Sequence, residues 1–204
     1  MPTKDGPSEA MDTEQIRAVV EAFAAAAVRA KEAGFDGAEL HSAHGYLLNQ
    51  FYSPLMNHRD DEYSAKSMAD RTRLHCEIIR TVREAVGELF IIAIRFGACD
   101  FEEGGSRIED IPEAVKAFEA AGTDLIDISG GTTGFMRPGH TEPGYLKDLS
   151  FAAKTAVSVP VILTGGVTEA RDMENLLQEG VADLIGVGRA LLKDPMWSLN
   201  ALGE

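Results

Sequence analysis

The chain has 204 residues, 45% of them apolar and 25% charged, with 19 basic against 33 acidic side chains and a net charge of −14. That balance describes one globular domain over residues 1–204, large enough to bury a core, and it excludes a disordered chain. The negative charge repels a phosphate backbone and argues against nucleic acid as a partner, although a few backbone N–H groups and one arginine can still hold a small anion.

No uninterrupted apolar run approaches the roughly 20 residues of a membrane-spanning helix. The opening MPTKDGPSEAMDTE lacks the basic and apolar segments of a secretion signal, so a cytoplasmic chain with no membrane partner is expected. Cys76 and Cys99 are the only cysteines and have no metal-ligand spacing, which predicts two buried thiols and no bound metal.

In chain order, one unit recurs: a helical stretch that ends at glycine, then a short apolar run. The first helix is predicted from Asp12 or Thr13, with Asp12 and Gln15 at capping-box spacing and Ile16, Val19, Val20, Phe23 and Ala27 along one stripe, ending at Gly34. The Ala24–Ala27 run is expected to serve surface and close packing. A strand is predicted at Gly37–His41, followed by a long polar insertion from Ser42 to about Ser67, whose Asn57–Tyr63 stretch reads as a solvated loop held by ion pairs. A helix near Met68–Val86 stops at Gly87, and a strand at Phe90–Arg95 precedes a helix near Ile111–Ala121 closed by Gly122. A strand at Asp124–Ile128, the glycine-rich loop SGGTTGFMRPGH and a helix near Leu149–Thr155 come next. The series closes with a strand at Val161–Thr164, a helix near Thr168–Gln178 and a strand at Asp183–Val187.

The apolar runs are continuous rather than alternating, which predicts parallel strands covered by helices on both sides and an α/β class. Five strands suit an open doubly wound sheet, whereas a (β/α)₈ barrel has eight strands and about 250 residues; the pattern alone leaves both open.

Polar residues gather where each strand ends: His41 and His44, Arg95, Ser129–Gly131, Thr164–Gly166 and Gly188–Arg189. In parallel α/β folds ligands bind on that face. The HSAHGY cluster sets two imidazoles three residues apart with Tyr46 two beyond. Imidazoles can stabilise charge developing on a carbonyl oxygen and a phenol can deliver a proton, which makes a plausible reduction site. The same histidines could instead satisfy loop carbonyls, and a zinc site would need a third ligand that the sequence does not supply.

Thr164-Gly165-Gly166-Val167 before a helix, repeated as Gly188-Arg189 before Ala190-Leu191-Leu192, offers backbone N–H groups at helix starts and favours a phosphate over two tight turns. Arg95 ends an apolar strand, where a ligand or a structural carboxylate would serve it equally well.

The string HSAHGYLLNQF at His41–Phe51, then SPLMNHRDDEY and DRTR, resembles the flavin-dependent Old Yellow Enzyme family of NAD(P)H:flavin oxidoreductases. AGFDGAELH, IRFGACDFEEGG, TGGV and DLIGVGRALLKDPMW continue the resemblance in order from about Met11 to Trp197. It implies an FMN-containing (β/α)₈ TIM barrel that passes hydride from NAD(P)H through the flavin to an activated alkene.

By the same resemblance, His41 and His44 match the pair that binds the substrate carbonyl and Tyr46 the proton donor. Arg95 is similar to an arginine against the flavin ring, and Gly165, Gly166, Gly188 and Arg189 resemble the groups holding the FMN phosphate. Three departures stand out. DEYSAKS and Asp70-Arg71 replace the usual DEYGGS and Asn-Arg, and the closing helix after Trp197 looks incomplete. The first three of eight strands are expected to be absent, which implies a homo-oligomer or a complementing chain, or else a non-catalytic flavin- or phosphate-binding remnant. The isolated chain is expected to bind FMN weakly or not at all and to show little ene-reductase activity.

Overall fold

The computed structural model describes residues 9–203; most of the opening segment read for a secretion signal lies outside them. Helix α1 (Thr13–Glu32) starts in a complete capping box, Asp12 Oδ1 accepting from Gln15 N at 2.8 Å and Gln15 Oε1 from Asp12 N at 2.9 Å. It buries Ile16, Ala24 and Ala27, so the alanine run divides between the core and the surface.

The remaining elements are β1 (Gly37–Ser42), α2 (Leu47–Tyr52), α3 (Met68–Val86), β2 (Ile91–Cys99), α4 (Ile111–Ala121), β3 (Leu125–Gly130), α5 (Lys147–Lys154), β4 (Val161–Thr164), α6 (Ala170–Gln178), β5 (Leu184–Gly186), α7 (Arg189–Lys193) and α8 (Trp197–Leu202).

The five strands form one parallel sheet in the order β1-β2-β3-β4-β5. Consecutive order without reversal is the winding of a (β/α)₈ barrel; a doubly wound sheet reverses at a switch point. Right-handed crossovers then place the helices on one side. The expectation of helices on both faces is therefore corrected. Leu40, Ile92, Ile94, Phe96, Ile126, Ile128, Val161 and Leu163 are buried on the helical side. Their alternates form the other face, where Glu39 is exposed, His41 and Arg95 are partly buried, and Ile91 and Leu184 remain 46% and 48% exposed.

The strands read as continuous apolar runs because this inner face also carries Ile91, Ala93, Leu125, Ile162 and Leu184. Strands β1 and β5 are the two sheet edges among the described residues.

Two boundaries matter for the site. β2 runs on through Cys99, with a register shift against β3 between Gly97 and Cys99 that interrupts the regular ladder at the C-terminal end of the strand. The Ser42–Ser67 insertion contains α2, whose Leu48, Phe51 and Tyr52 are buried. The Asn57–Tyr63 stretch holds the expected Arg59–Asp61 ion pair but is solvated only in its middle: Asn57 and Tyr63 are buried, and Asn57 Nδ2 donates to Phe51 O and Tyr63 O at 2.7 Å each. The Asp70-Arg71 departure leaves this region well packed: Arg71 is buried, donates to Tyr52 O at 2.8 Å and to Asp110 at 3.1 Å, and lies over the Tyr52 ring. Cys76 and Cys99 are both buried, and burial raises both thiols.

Candidate active site

The parallel register sets a row across the inner face: His41 on β1 beside Arg95 on β2, and Arg95 beside Asp127 on β3. Past β1 the chain turns through His44 and Gly45, both left-handed at φ 60° and 73°. Histidine tolerates this conformation better than branched residues do, and such positions cluster at functional sites. The turn brings both neighbours to His41 edge-on, the His44 ring centroid 5.0 Å away and that of Tyr46 5.2 Å away. Tyr46 is the residue before α2 and is 63% exposed, so its phenol stands at the mouth.

Burial, then the neighbouring Arg95, lowers the His41 imidazole. Burial, Arg95 and His41 together push His44 down to about 4. Both imidazoles are thus neutral near pH 7, each with one N–H to donate. His44 Nε2 lies 2.7 Å from Ser129 Oγ at the end of β3.

Arg95 faces Asp127 at 3.5 Å, yet its buried Nε makes no hydrogen bond among the described residues. The two possibilities left by the sequence coexist: a carboxylate counterion and donor capacity still free for a ligand. Burial raises the Asp127 carboxyl against the opposing pull of Arg95 and of the Thr164 hydroxyl, which donates to it at 2.8 Å. Glu39, two residues before His41 on β1 and exposed as a whole residue, has its carboxyl raised by partial desolvation against the inner face and by Asp127.

Arg95 also lines a cavity of about 200 Å³ with Phe135, Tyr145, Gly165, Gly166, Gly188 and Arg189. Gly165 and Gly166 do not sit on the first turn of a helix, because α6 starts only at Ala170. They form a loop in which Gly166 has φ 71°, and a Cβ there would run into Glu142 O and the Tyr145 ring. Gly188 directly precedes α7, with open space where a Cβ would stand. The Arg189 guanidinium lies 5.8 Å from the Phe135 ring, which is itself 6.1 Å from His44. One aromatic side chain thus joins the glycine cradle to the histidines.

Sequence reading placed Ser129 at a strand end without a role and missed Asp127, Phe135 and Asp100. The signal for Asp127 was available as an acid inside the apolar DLIDI. Asp100 directly follows β2, fully buried, and accepts from Ser53 Oγ at 2.6 Å, from Ser106 N and Oγ at 2.8 Å each, and from Thr132 N at 2.9 Å. It clasps three loops of the ligand face. Gly131 is required there, since a Cβ would collide with the Asp100 carboxylate.

A family model described as the NADH:flavin oxidoreductase / NADH oxidase family matches residues 4–201. The chain belongs to that family. It is 42% identical over 191 residues to an NADH oxidase of Thermoanaerobacter brockii, covering 92% of this chain and 29% of that one. It is 40% identical over 197 residues to an NADPH dehydrogenase of Halalkalibacterium halodurans, covering 96% of this chain and 57% of the relative. Among solved structures, an old yellow enzyme homologue from Zymomonas mobilis superposes with a TM-score of 0.80 at 25% identity, covering 98% of this chain and 57% of that one. The chain therefore spans 57% or less of the length of each of these flavin oxidoreductase relatives. Among the described residues there is no helix long and apolar enough to cross a membrane, and no cluster of metal-ligating side chains.

Proposed function

We propose that this chain carries the substrate-binding and phosphate-binding part of an FMN-dependent NAD(P)H oxidoreductase that reduces activated alkenes of the α,β-unsaturated carbonyl type. The observation that carries the reading is the convergence of two neutral imidazoles and a phenol with an arginine that also lines the glycine cavity. The residues fit FMN at its phosphate end: Gly165, Gly166, Gly188 and Arg189 line one cavity, Gly165 and Gly166 because a Cβ there would press on Tyr145 or Glu142 O, and Gly188 with open space beside it, so that backbone and a guanidinium rather than bulky side chains border the cavity there. Arg95 fits the ring end, as its buried Nε lacks a partner.

When bound, FMN would supply the hydride that NAD(P)H delivers and the alkene β-carbon receives. This chain's own groups would do the rest. His41 and His44 donate hydrogen bonds to the carbonyl oxygen and stabilise the negative charge that grows there. Tyr46 gives its proton to the α-carbon, from the open flank where the phenol is replenished by solvent. The exposed Ile91 and Leu184 and the two sheet edges favour a complementing chain or a second copy over this face.

With FMN and NADPH supplied, the chain is expected to reduce cyclohexenone slowly, below the ordinary turnover of about 1–10³ per second, because small misplacements of the ring are costly. Tyr46→Phe should lower that rate by about a hundredfold or more while leaving enone binding unchanged, and His41→Ala with His44→Ala should abolish the binding. Rates equal to wild type in these variants would overturn the reading. FMN binding without any reduction would favour a non-catalytic binding remnant.

A further inference from the structure

Ser129 is 1% exposed, and its hydroxyl has one hydrogen-bond partner among the described residues, His44 Nε2 at 2.7 Å. A buried hydroxyl needs an acceptor for its hydrogen. If His44 Nε2 carried the proton and donated it to Ser129, the serine hydrogen would have no acceptor. The satisfied arrangement is the reverse: Ser129 O–H donates, Nε2 accepts, and the imidazole's single proton resides on Nδ1.

We propose that Ser129 is a positioning residue for the histidine pair, fixing His44 in the Nδ1–H tautomer so that Nδ1, and not Nε2, is the nitrogen that meets a ligand oxygen. Several further observations support it. Nδ1 of His44 has no hydrogen bond to the protein among the described residues, and the ring makes edge contacts with both His41 and Phe135. His44 stands in the turn after β1 with a left-handed backbone at φ 60°, and from there its ring reaches Ser129 on β3. The neutral state of His44 near pH 7 makes the choice of tautomer decide whether a donor is presented at all.

The inference depends on the proposed redox role only for its chemical consequence, and its test needs neither flavin nor substrate. Long-range ¹H–¹⁵N spectra of the histidine-labelled chain at pH 7, with His44 assigned through His44→Gln, should show a protonated Nδ1 and an unprotonated Nε2. In Ser129→Ala the tautomer ratio should move by about fivefold toward Nε2–H, the worth of one neutral hydrogen bond. Ser129→Thr, which keeps the hydroxyl, should retain the wild-type pattern. A wild-type His44 protonated on Nε2, or a tautomer ratio unchanged in a folded Ser129→Ala, would overturn the assignment.

Discussion

At the scale of single residues, burial decides which histidines respond to acid. His75 is fully buried between Tyr52 and Phe118, bonded to Ser42 Oγ at 2.7 Å, and burial pushes its imidazole from 6.5 down to about 3. Between those two values the unfolded chain binds a proton that the folded one does not. Stability therefore rises with pH through this window and is complete above about 6.5. Lowering the pH from 7 to 5 should cost about 2 kcal/mol through His75 alone, and His75→Gln should flatten the slope of unfolding free energy against pH by that amount in urea titrations. A slope unchanged in the variant would show that His75 is protonated in the native state. The His41, His44 and Tyr46 cluster was legible in the sequence because its members lie within six residues on one strand and turn. The partner that orients His44 was not, because Ser129 lies 85 positions away and only the register of β1 through β3 brings it near.

At the scale of elements, the ligand face depends on loops that the helices and strands do not themselves order. Asp100 joins the α2 segment, the loop after β2 and the loop after β3 through four donors. Burial alone would raise its carboxyl, but the Ser53, Thr132 and Ser106 donors outweigh that and hold it below 3.8. Asp100→Asn keeps the shape but turns one oxygen into a donor facing buried N–H or O–H groups. The expected loss is about 1–3 kcal/mol for each donor left unmatched, measured by chemical denaturation at pH 7. Because the folded value is depressed, Asp100's contribution is present above about pH 4 and disappears as pH falls through it. The gap between wild type and Asp100→Asn should close in acid; a constant gap would refute the clasp. The five strands were legible as apolar runs, and α1 and α3 as capped amphipathic periods. Helix α2 was hidden because six residues, LLNQFY, are too few to show a helical period, and its burial comes from packing against α3 and β1. Helix α6 was legible to within two residues, expected near Thr168 and found from Ala170.

At the scale of the whole molecule, the consecutive sheet order and the open inner face describe part of a barrel wall, with helices outside and a polar row of His41, Arg95 and Asp127 inside. The barrel class could not be chosen from the sequence pattern, because five similar β–α units are common to both windings; strand order is a property of pairing between runs, and β1 meets β2 some fifty residues later. On the proposed reading, the cavity lined by Gly165, Gly166, Gly188 and Arg189 is the phosphate end of the site, and the open inner face is the side from which a flavin ring would be held. The measurement that tests this most directly is an equilibrium titration of the chain with FMN, followed by quenching of flavin fluorescence, in wild type and in Arg189→Ala. Weak saturable binding is predicted, competed by inorganic phosphate and weakened about tenfold to a hundredfold by the loss of one charge-assisted contact. Affinity unchanged in Arg189→Ala, or binding indifferent to phosphate, would contradict the account.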